Sequence, residues 1–473
     1  MRMLDIGEKV VNTALKSGAD SAEAFLLWEK STGVEIEKDE ISSSSSGAIF
    51  GMGIRIIKSG KLGFSYCTDA SKIKEAIDGA LSVSVLSKKT KFEFPEAAKQ
   101  RKIEKTCNKK IIDLEPEEAV EKVREIIESA KEIHKDIIVT SGGVGFGHGG
   151  FAVVNSNGLR VQNNDTGIAG GASVVLKNGG VSTGFDSSVS RILNIDFKEI
   201  GRTAAKIALK GCRPKKFASG KTTVLFTPNA IGSLFEYVVI PAFYADAAKK
   251  GESIFSDKLN RIVMPEAFSI IDDGTIPNGV NSASCDDEGV PSRRLEIIKN
   301  GVLKSYLYDR SAATEYGEKS TSSGIRSERL LSGRTFKSIP KTAGRNVTII
   351  GKPYANVVAR GKPYADAAIR GKPYALENII SEVKNGILVY DILGGHTANP
   401  VSGDFSVNST ILFKIENGEI KHGLKPVMLS GNMKECLKNI TMLGDDYRML
   451  AGQLSPVGMI LPTICVEDVR VTA

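Results

Sequence analysis

The sequence predicts an α+β protein of two domains, in which mainly antiparallel sheets are flanked by helices. The chain has 473 residues, enough for two or three domains that each bury a core. Apolar residues recur at helical spacing in 4–16 and 116–134. Asn-Gly pairs, which favour tight turns, recur between apolar runs at Asn157, Asn300 and Asn417. Together these patterns favour antiparallel sheets with packed helices.

The first predicted domain covers residues 1–212 and combines helices with strands. After the first helix, residues 22–37 and 47–64 alternate or run apolar, which predicts antiparallel strands. Residues 137–161 predict a strand, a glycine-rich turn and a hairpin. A helix near 196–210 then leads into the basic segment CRPKKFASGK, which we interpret as the domain boundary.

The second predicted domain covers residues 221–473 and is rich in strands. It opens on a short apolar strand and a long helix at 228–250. Thr227 suits the N-cap of that helix and Pro228 its first turn, where a missing N–H costs least. Short strands separated by turns follow, so we predict a large antiparallel sheet here.

One segment of the second domain has a composition of its own. Residues 351–375 contain GKPYA three times, starting at Gly351, Gly361 and Gly371. A ten-residue period is too short for a helical solenoid. We interpret it as an inserted surface loop, with a partner-binding loop as the alternative.

Composition excludes several classes of function. The net charge of +8 comes from 63 basic and 55 acidic residues, and the basic stretches contain few aromatics, so we do not expect nucleic-acid binding. The six cysteines form no CxxC pair, which is typical of a reduced, cytoplasmic protein. No run of about 18 apolar residues occurs, so no membrane span is expected.

Histidine is scarce in this sequence. The four histidines are His134, His148, His396 and His422, and none lies three to five residues from another. A zinc hydrolase usually presents two histidines on one helical face. The sequence has no such pair, so any part in metal-assisted hydrolysis would need a partner. His396 is the most interesting of the four, because it follows an apolar strand and begins a polar turn.

Clustered carboxylates occur at Asp272-Asp273 and at 286–288. Paired acids can bind a hard cation or act as acid and base. Each cluster is followed by glycine, however, and aspartates before a turn often accept hydrogen bonds from their own backbone. We favour this structural interpretation.

Six short motifs follow one another along the second half of the chain. They are DDGTIP at 272–277, DDEGVPSRR at 286–294, NGVLKSY at 300–306, NPVSGDFS at 399–406, IENGEI at 415–420 and GDD at 444–446. In their order and spacing, these motifs resemble the TldD/PmbA family. The resemblance spans nearly the whole chain and is densest in the second half.

The resemblance implies a cytosolic peptidase assembled from two related subunits. The TldD type carries an HExxxH zinc helix and a later cysteine ligand, and the TldE or PmbA type lacks them. In the family's register, Glu236 and Pro241 take the places of the two zinc histidines, and Tyr237 that of the general-base glutamate. Proline cannot ligate zinc, and tyrosine is a poor base near neutral pH. Residues 448–456 contain no cysteine, so the chain resembles the TldE/PmbA type.

The leading hypothesis is therefore a non-zinc subunit of a cytoplasmic metallopeptidase complex that degrades or processes unfolded peptides. We expect no cofactor in this chain and zinc in a TldD-like partner, paired as a heterodimer. Helix 228–250 and the loop 396–406 are candidate walls of a peptide chamber. The candidate contacts are Tyr237, Tyr244, His396 and Asn399.

Two alternatives stay open at this point. One is an autonomous metal-dependent peptidase that uses Glu236, Asp246 and His396 with a metal ion. The other is a non-enzymatic homodimer that binds peptides or modulates another enzyme.

Overall fold

A computed structural model describes residues 2–178, 180–328, 333–351 and 374–473. Helices and mainly antiparallel sheets make up these residues, which confirms the predicted α+β class. The predicted GKPYA loop at 351–375 lies almost entirely outside the described residues, so it stays a prediction. In the described part of the chain, no helix is long and apolar enough to cross a membrane.

The first sheet takes its strands from residues 21–190. They are β1 (Ser21–Glu37), β2 (Glu40–Lys58), β3 (Lys61–Cys67), β4 (Ile137–Asn155), β5 (Arg160–Lys177) and β6 (Val181–Ser190). Their spatial order is β3-β2-β1-β4-β5-β6, and every pairing is antiparallel. In this order β6 is an edge strand of the sheet, and it lines the candidate functional site.

The glycine-rich segment 142–150 is a strand, so the turn predicted there is wrong. It lies inside β4, which runs unbroken to the predicted Asn157-Gly158 turn. Neighbouring strands approach these glycines closely. A Cβ atom on Gly142 would lie 2.2 Å from the carbonyl oxygen of Gly171, and one on Gly143 would lie 2.3 Å from that of Val34. Close approach of the strands, not a turn, therefore accounts for the glycines.

Helices cover one face of this sheet at both ends. They are α1 (Met3–Lys16), α2 (Ile73–Leu86), the short α3 (Lys109–Ile112), α4 (Pro116–Ile133) and α5 (Phe197–Lys210). The apolar faces of α1 and α2 share a core with Leu26 and Met52, and those of α4 and α5 share another with Val144 and Ile168. The predicted helices are confirmed here, because their apolar stripes face the strands.

The remaining strands come from residues 220–472. They are β7 (Gly220–Phe226), β8 (Phe268–Asp273), β9 (Arg294–Lys299), β10 (Val302–Leu303), β11 (Gly324–Ile325), β12 (Lys341–Thr342), β13 (Asn346–Gly351), β14 (Asn385–Leu393), β15 (Asp404–Glu416), β16 (Glu419–Gly423), β17 (Val427–Asn432), β18 (Ile440–Leu443), β19 (Arg448–Ala451), β20 (Gly458–Leu461) and β21 (Ile464–Thr472). One sheet has the order β10-β9-β8-β13-β20-β19, and a second has the order β14-β7-β21-β17-β15-β16, with β18 beside β21. The strands β11 and β12 form a small separate pair. The predicted large sheet is thus divided, and two of its pairings, β13 with β20 and β14 with β7, are parallel.

The helix predicted at 228–250 is interrupted. The helices of this half are α6 (Pro228–Leu234), α7 (Ile240–Ala242), α8 (Ala245–Lys249), α9 (Arg310–Tyr316), α10 (Tyr374–Glu382) and α11 (Met433–Lys438). A π-helical turn, Phe235–Val239, joins α6 to α7, and the backbone is extended at Tyr244. Pro241 has no N–H, and in a regular α-helix its ring would crowd the carbonyl of Tyr237, so the widened turn accommodates this proline. Thr227 and Pro228 do stand at the N-cap and in the first turn, as predicted, but the Thr227 hydroxyl donates to the carbonyl of Tyr390 and does not cap the helix.

A buried ionic network joins the first sheet to the second half of the chain. Arg55 Nη2 lies 2.7 Å from Glu23 Oε2, and Arg55 Nη1 lies 3.1 Å from Glu288 Oε1. Arg326 Nη2 lies 2.6 Å from Glu23 Oε1. All four side chains are at most 3% exposed, so removing one charge would leave the buried network with an uncompensated charge. The network fixes how the two halves sit against each other.

Candidate functional site

A cleft of about 250 Å³ lies between the terminal strand β6 and the interrupted helix. On one side it is lined by Phe185 and residues 187–189. On the other side lie Ser233, Glu236 and Asp391, with the segment 449–453 closing one end. The cleft therefore joins the two halves of the chain at the helix singled out from the sequence.

Glu236 is the most constrained side chain of this cleft. It is 3% exposed, and its Oε1 atom accepts hydrogen bonds from the N–H groups of Leu454 (2.8 Å) and Ser455 (3.0 Å). The Ser455 hydroxyl donates to the same oxygen at 3.0 Å, and the Gln453 N–H donates to Oε2 at 3.0 Å. Successive backbone N–H groups form a concave anion site, and this one is filled by the protein's own carboxylate.

The π turn affects which residues share a face of the helix. In an α-helix, residues five apart point about 140° away from each other. A π turn closes its hydrogen bonds between residues five apart, as from Ile240 N–H to the Phe235 carbonyl, and so brings such residues together. Glu236 and Pro241 are five apart. The backbone thus brings positions 236 and 241 towards one face, as a pair of zinc-binding histidines at this spacing would require. Neither residue is a histidine here.

Tyr237 and His396 lie together, although neither lines the cleft. Their rings meet edge to face, with centroids 6.2 Å apart. Partial burial and the Glu236 carboxylate raise the pKa of Tyr237 to about 12, so its hydroxyl stays protonated near neutral pH. Tyr237 therefore does not offer a base where the family register places one.

Tyr244 and Asn399 are the other two candidate contacts. Burial, with the carboxylates of Asp272 and Glu236, raises the pKa of Tyr244. Asn399 is exposed, and its side-chain oxygen accepts hydrogen bonds from the N–H groups of Val401 and Ser402. Neither residue lines the cleft at Glu236.

The clustered aspartates also have local roles. Asp273 Oδ1 accepts hydrogen bonds from the N–H and hydroxyl of Thr275, and Asp286 Oδ1 accepts from the N–H groups of Glu288 and Val290. These contacts confirm the structural interpretation as turns of the Asx type.

Two of the three residues proposed for an autonomous metal site, Glu236 and Asp246, already have hydrogen-bond partners in the protein. The Glu236 oxygens accept hydrogen bonds from the N–H groups of 453–455, and the Asp246 carboxylate interacts with the Tyr316 hydroxyl. Within the described residues, no group of three His, Cys, Asp or Glu side chains could hold a metal ion. Zinc therefore does not fit the residues that stand at this helix.

Sequence reasoning missed the cleft's other members. Asp391 lies in the apolar strand β14, and burial raises its pKa to about 6. In the sequence, the signal for this residue was a lone carboxylate inside the apolar run ILVYDIL. The loop 453–455 carries a weaker sequence signal. Its N–H groups can be recognised as an anion site only because the structure places them around Glu236.

Models of a known protein family match most of this chain. Models of the PmbA/TldA metallopeptidase match in three segments: domain 1 at 22–84, the central domain at 109–211 and the C-terminal domain at 219–473. The chain belongs to the PmbA/TldD metallopeptidase family. The first two segments of this family lie on one continuous sheet here, within the predicted first domain of 1–212.

Relatives within the PmbA/TldD family match over nearly full length. An uncharacterized protein of Methanocaldococcus jannaschii is 28% identical over 93% of this chain and 94% of its own. The metalloprotease PmbA of Escherichia coli O157:H7 is 24% identical, over 93% of this chain and 91% of its own. The crystal structure of TldE from Thermococcus kodakarensis superimposes with a TM-score of 0.87 at 26% identity, covering 99% of this chain and 100% of that one. The chain is of the TldE/PmbA type.

Proposed function

We propose that this chain is the non-zinc subunit of a cytoplasmic metallopeptidase complex that degrades or processes unfolded peptides. The observation that carries the proposal is the carboxylate of Glu236, held by four hydrogen bonds where the family register places a zinc ligand. Three of these bonds go to Oε1 and one to Oε2, so the carboxylate is committed to holding the loop 453–455.

The expected partner is a TldD-like chain, which would hold the zinc in a heterodimer. Zinc in a peptidase activates water and polarises the scissile carbonyl. This chain would contribute a wall to the peptide chamber. Its own part is to bind and orient the substrate, because Tyr237 stays protonated and Pro241 offers no ligand.

The cleft at Glu236 suits an extended peptide. The strand β6 pairs only with β5 among the described strands, so its outer edge can hydrogen-bond to an added strand. Recognition through the backbone tolerates many side chains and requires an unfolded segment. The polar groups of Ser188 and Ser233 and the apolar Leu450 line the space beside that edge.

Co-expression with a TldD-like chain tests the proposal. We expect the purified pair to contain zinc and to hydrolyse an unfolded peptide, while this chain alone does neither. Zinc content by mass spectrometry and peptide cleavage are measured on the same samples. If the isolated chain held stoichiometric zinc and cleaved peptides, the autonomous alternative would replace this proposal. Recovery of the chain without any TldD-like partner, from cells that contain one, would favour the non-enzymatic alternative.

A further inference from the structure

Asp391 is a half-buried carboxylate that lines the cleft at Glu236. Among the described residues that line this cleft, the charged ones are Glu236 and Asp391, and both are acidic. Arg448, which directly precedes the lining residues 449–451, is already paired with Asp186, with its Nη2 atom 3.2 Å from Oδ2. Burial raises the pKa of Asp391, and no lysine or arginine of the described chain lowers it. The cleft therefore carries a negative charge that the described residues leave uncompensated.

The two carboxylates of the cleft differ in the hydrogen bonds that they accept. Both oxygens of Glu236 accept from residues 453–455. The carboxylate of Asp391 accepts from the backbone N–H of Ile392, its own neighbour in the chain. An ionised carboxylate has about four acceptor positions, so Asp391 keeps most of its capacity for a donor that enters the cleft.

An irregularity of β14 turns Asp391 out of the apolar core. In this strand Ile387 and Val389 belong to the core on one face of the sheet, and Leu388 belongs to the core on the other. Continued alternation would place Asp391 with Val389, but Ile392 occupies that core instead. The register of β14 against β15 shifts on both sides of Asp391. Such bulges re-aim a side chain beside a functional site, and here the re-aimed carboxylate lines the cleft.

The other residues that line the cleft suit a long basic side chain. Phe185, Leu450 and Met459 provide apolar surface, and Ser233 adds a hydroxyl that can accept a hydrogen bond. Lysine and arginine bury their aliphatic stems along apolar surface and keep the charged head on polar groups. Asp391 is the polar group that best matches such a head, because a hydrogen bond between two charged groups is stronger than a neutral one.

We propose that Asp391 binds a cationic group of the peptide, an ammonium or a guanidinium, in the cleft at Glu236. This inference rests on the proposed function, since it takes the cleft as the place where the peptide lies. The peptide backbone follows the outer edge of β6, and its cationic group reaches Asp391 across the cleft. Backbone recognition alone tolerates many sequences. Asp391 adds a preference for unfolded segments that carry a positive charge.

Binding of fluorescent peptides to the full chain, measured by anisotropy, tests the inference. An N-acetylated peptide with one lysine among neutral residues is compared with the same peptide that carries norleucine instead. We expect the parent to bind the lysine peptide about tenfold more tightly, the ratio that one hydrogen bond between charged groups supplies. Asp391→Asn should bind both peptides equally, and the exposed Asp113→Asn, as the matched control, should keep the preference. Asparagine has nearly the shape of aspartate, and a thermal melt of each variant verifies that it is folded.

A second pair of peptides identifies the source of the cation. The norleucine peptide is prepared with a free N-terminus and compared with its acetylated form, so that a preference for the terminal ammonium is separated from one for a side chain. If Asp391→Asn changes neither preference, the inference is overturned. The proposed function still stands in that case, provided that Ser188→Trp, which fills the cleft, weakens the binding of all peptides. If no peptide binds, or if Ser188→Trp leaves binding unchanged, the cleft is not the peptide site and both proposals fail there.

Discussion

The carboxylate of Glu236 accepts hydrogen bonds from both the backbone N–H and the hydroxyl of Ser455, each at 3.0 Å. The two residues are 219 positions apart in the chain, and the contact ties the interrupted helix to the loop before β20. In the TldD type, according to the family resemblance, zinc would link a helix to a cysteine in this region. Here hydrogen bonds make the link.

Removing the Glu236 carboxylate should destabilise the fold. Glu236→Ala removes the acceptor of three part-buried N–H groups, and a hydrogen bond to a charged group contributes about 1.5–3 kcal/mol. We expect the free energy of unfolding in urea to fall by at least about 3 kcal/mol, and by a smaller amount for Glu236→Gln, which keeps one acceptor oxygen. The control is the exposed Glu252→Ala. A Glu236→Ala variant as stable as the control would show that the loop finds other partners.

The π turn predicts that a zinc site can be rebuilt. Glu236→His with Pro241→His would place two imidazoles five residues apart, and Ser455→Cys would add a thiolate from the residue that already contacts position 236. We expect the triple variant to bind one zinc ion, measured by competition with a chromophoric chelator. The double variant without Ser455→Cys is the control and should bind more weakly. If the triple variant takes up no zinc, then the π turn depends on Pro241 itself.

The stability of the fold should depend on pH through Asp391. Burial raises its pKa to about 6, above the unfolded value of about 3.9, so the native state binds the proton more tightly. Stability from this group is full below about pH 4 and is lost as the pH rises to about 6. Asp391→Asn should therefore gain on the parent by up to about 3 kcal/mol between pH 4 and pH 7. Urea unfolding at both pH values measures the gain, with the exposed Asp113→Asn as the control.

Filling the cleft should reduce peptide hydrolysis by the complex. Ser188→Trp puts an indole into the space of about 250 Å³ beside the edge of β6. We expect a loss of kcat/KM for an unfolded peptide, mainly through KM, with unchanged zinc content. Ser82→Trp, on the exposed face of α2, is the matched control. Equal activity of the two variants would place the peptide elsewhere.

Much of the architecture could be predicted because it depends on local patterns. The stripes of α1, α4 and α5 and the Asn-Gly turn at Asn157 are written in residues close together in the sequence. The predicted turn at 142–150 was wrong because glycine signals either a turn or a close approach of strands, and only the neighbouring strands distinguish the two. The prediction of a continuous helix at 228–250 was wrong because Pro241 does not fit a regular α-helix and the backbone is extended at Tyr244.

The sequence by itself determined the fold class, the membership of the PmbA/TldD family and the absence of an HExxxH motif. Each of these depends on residue identity and spacing. Only the tertiary structure decided that Glu236 is enclosed by residues 453–455 and that Asp391 faces the same cleft. Burial and pairing arise from contacts between residues hundreds of positions apart, so they are properties of the folded chain alone.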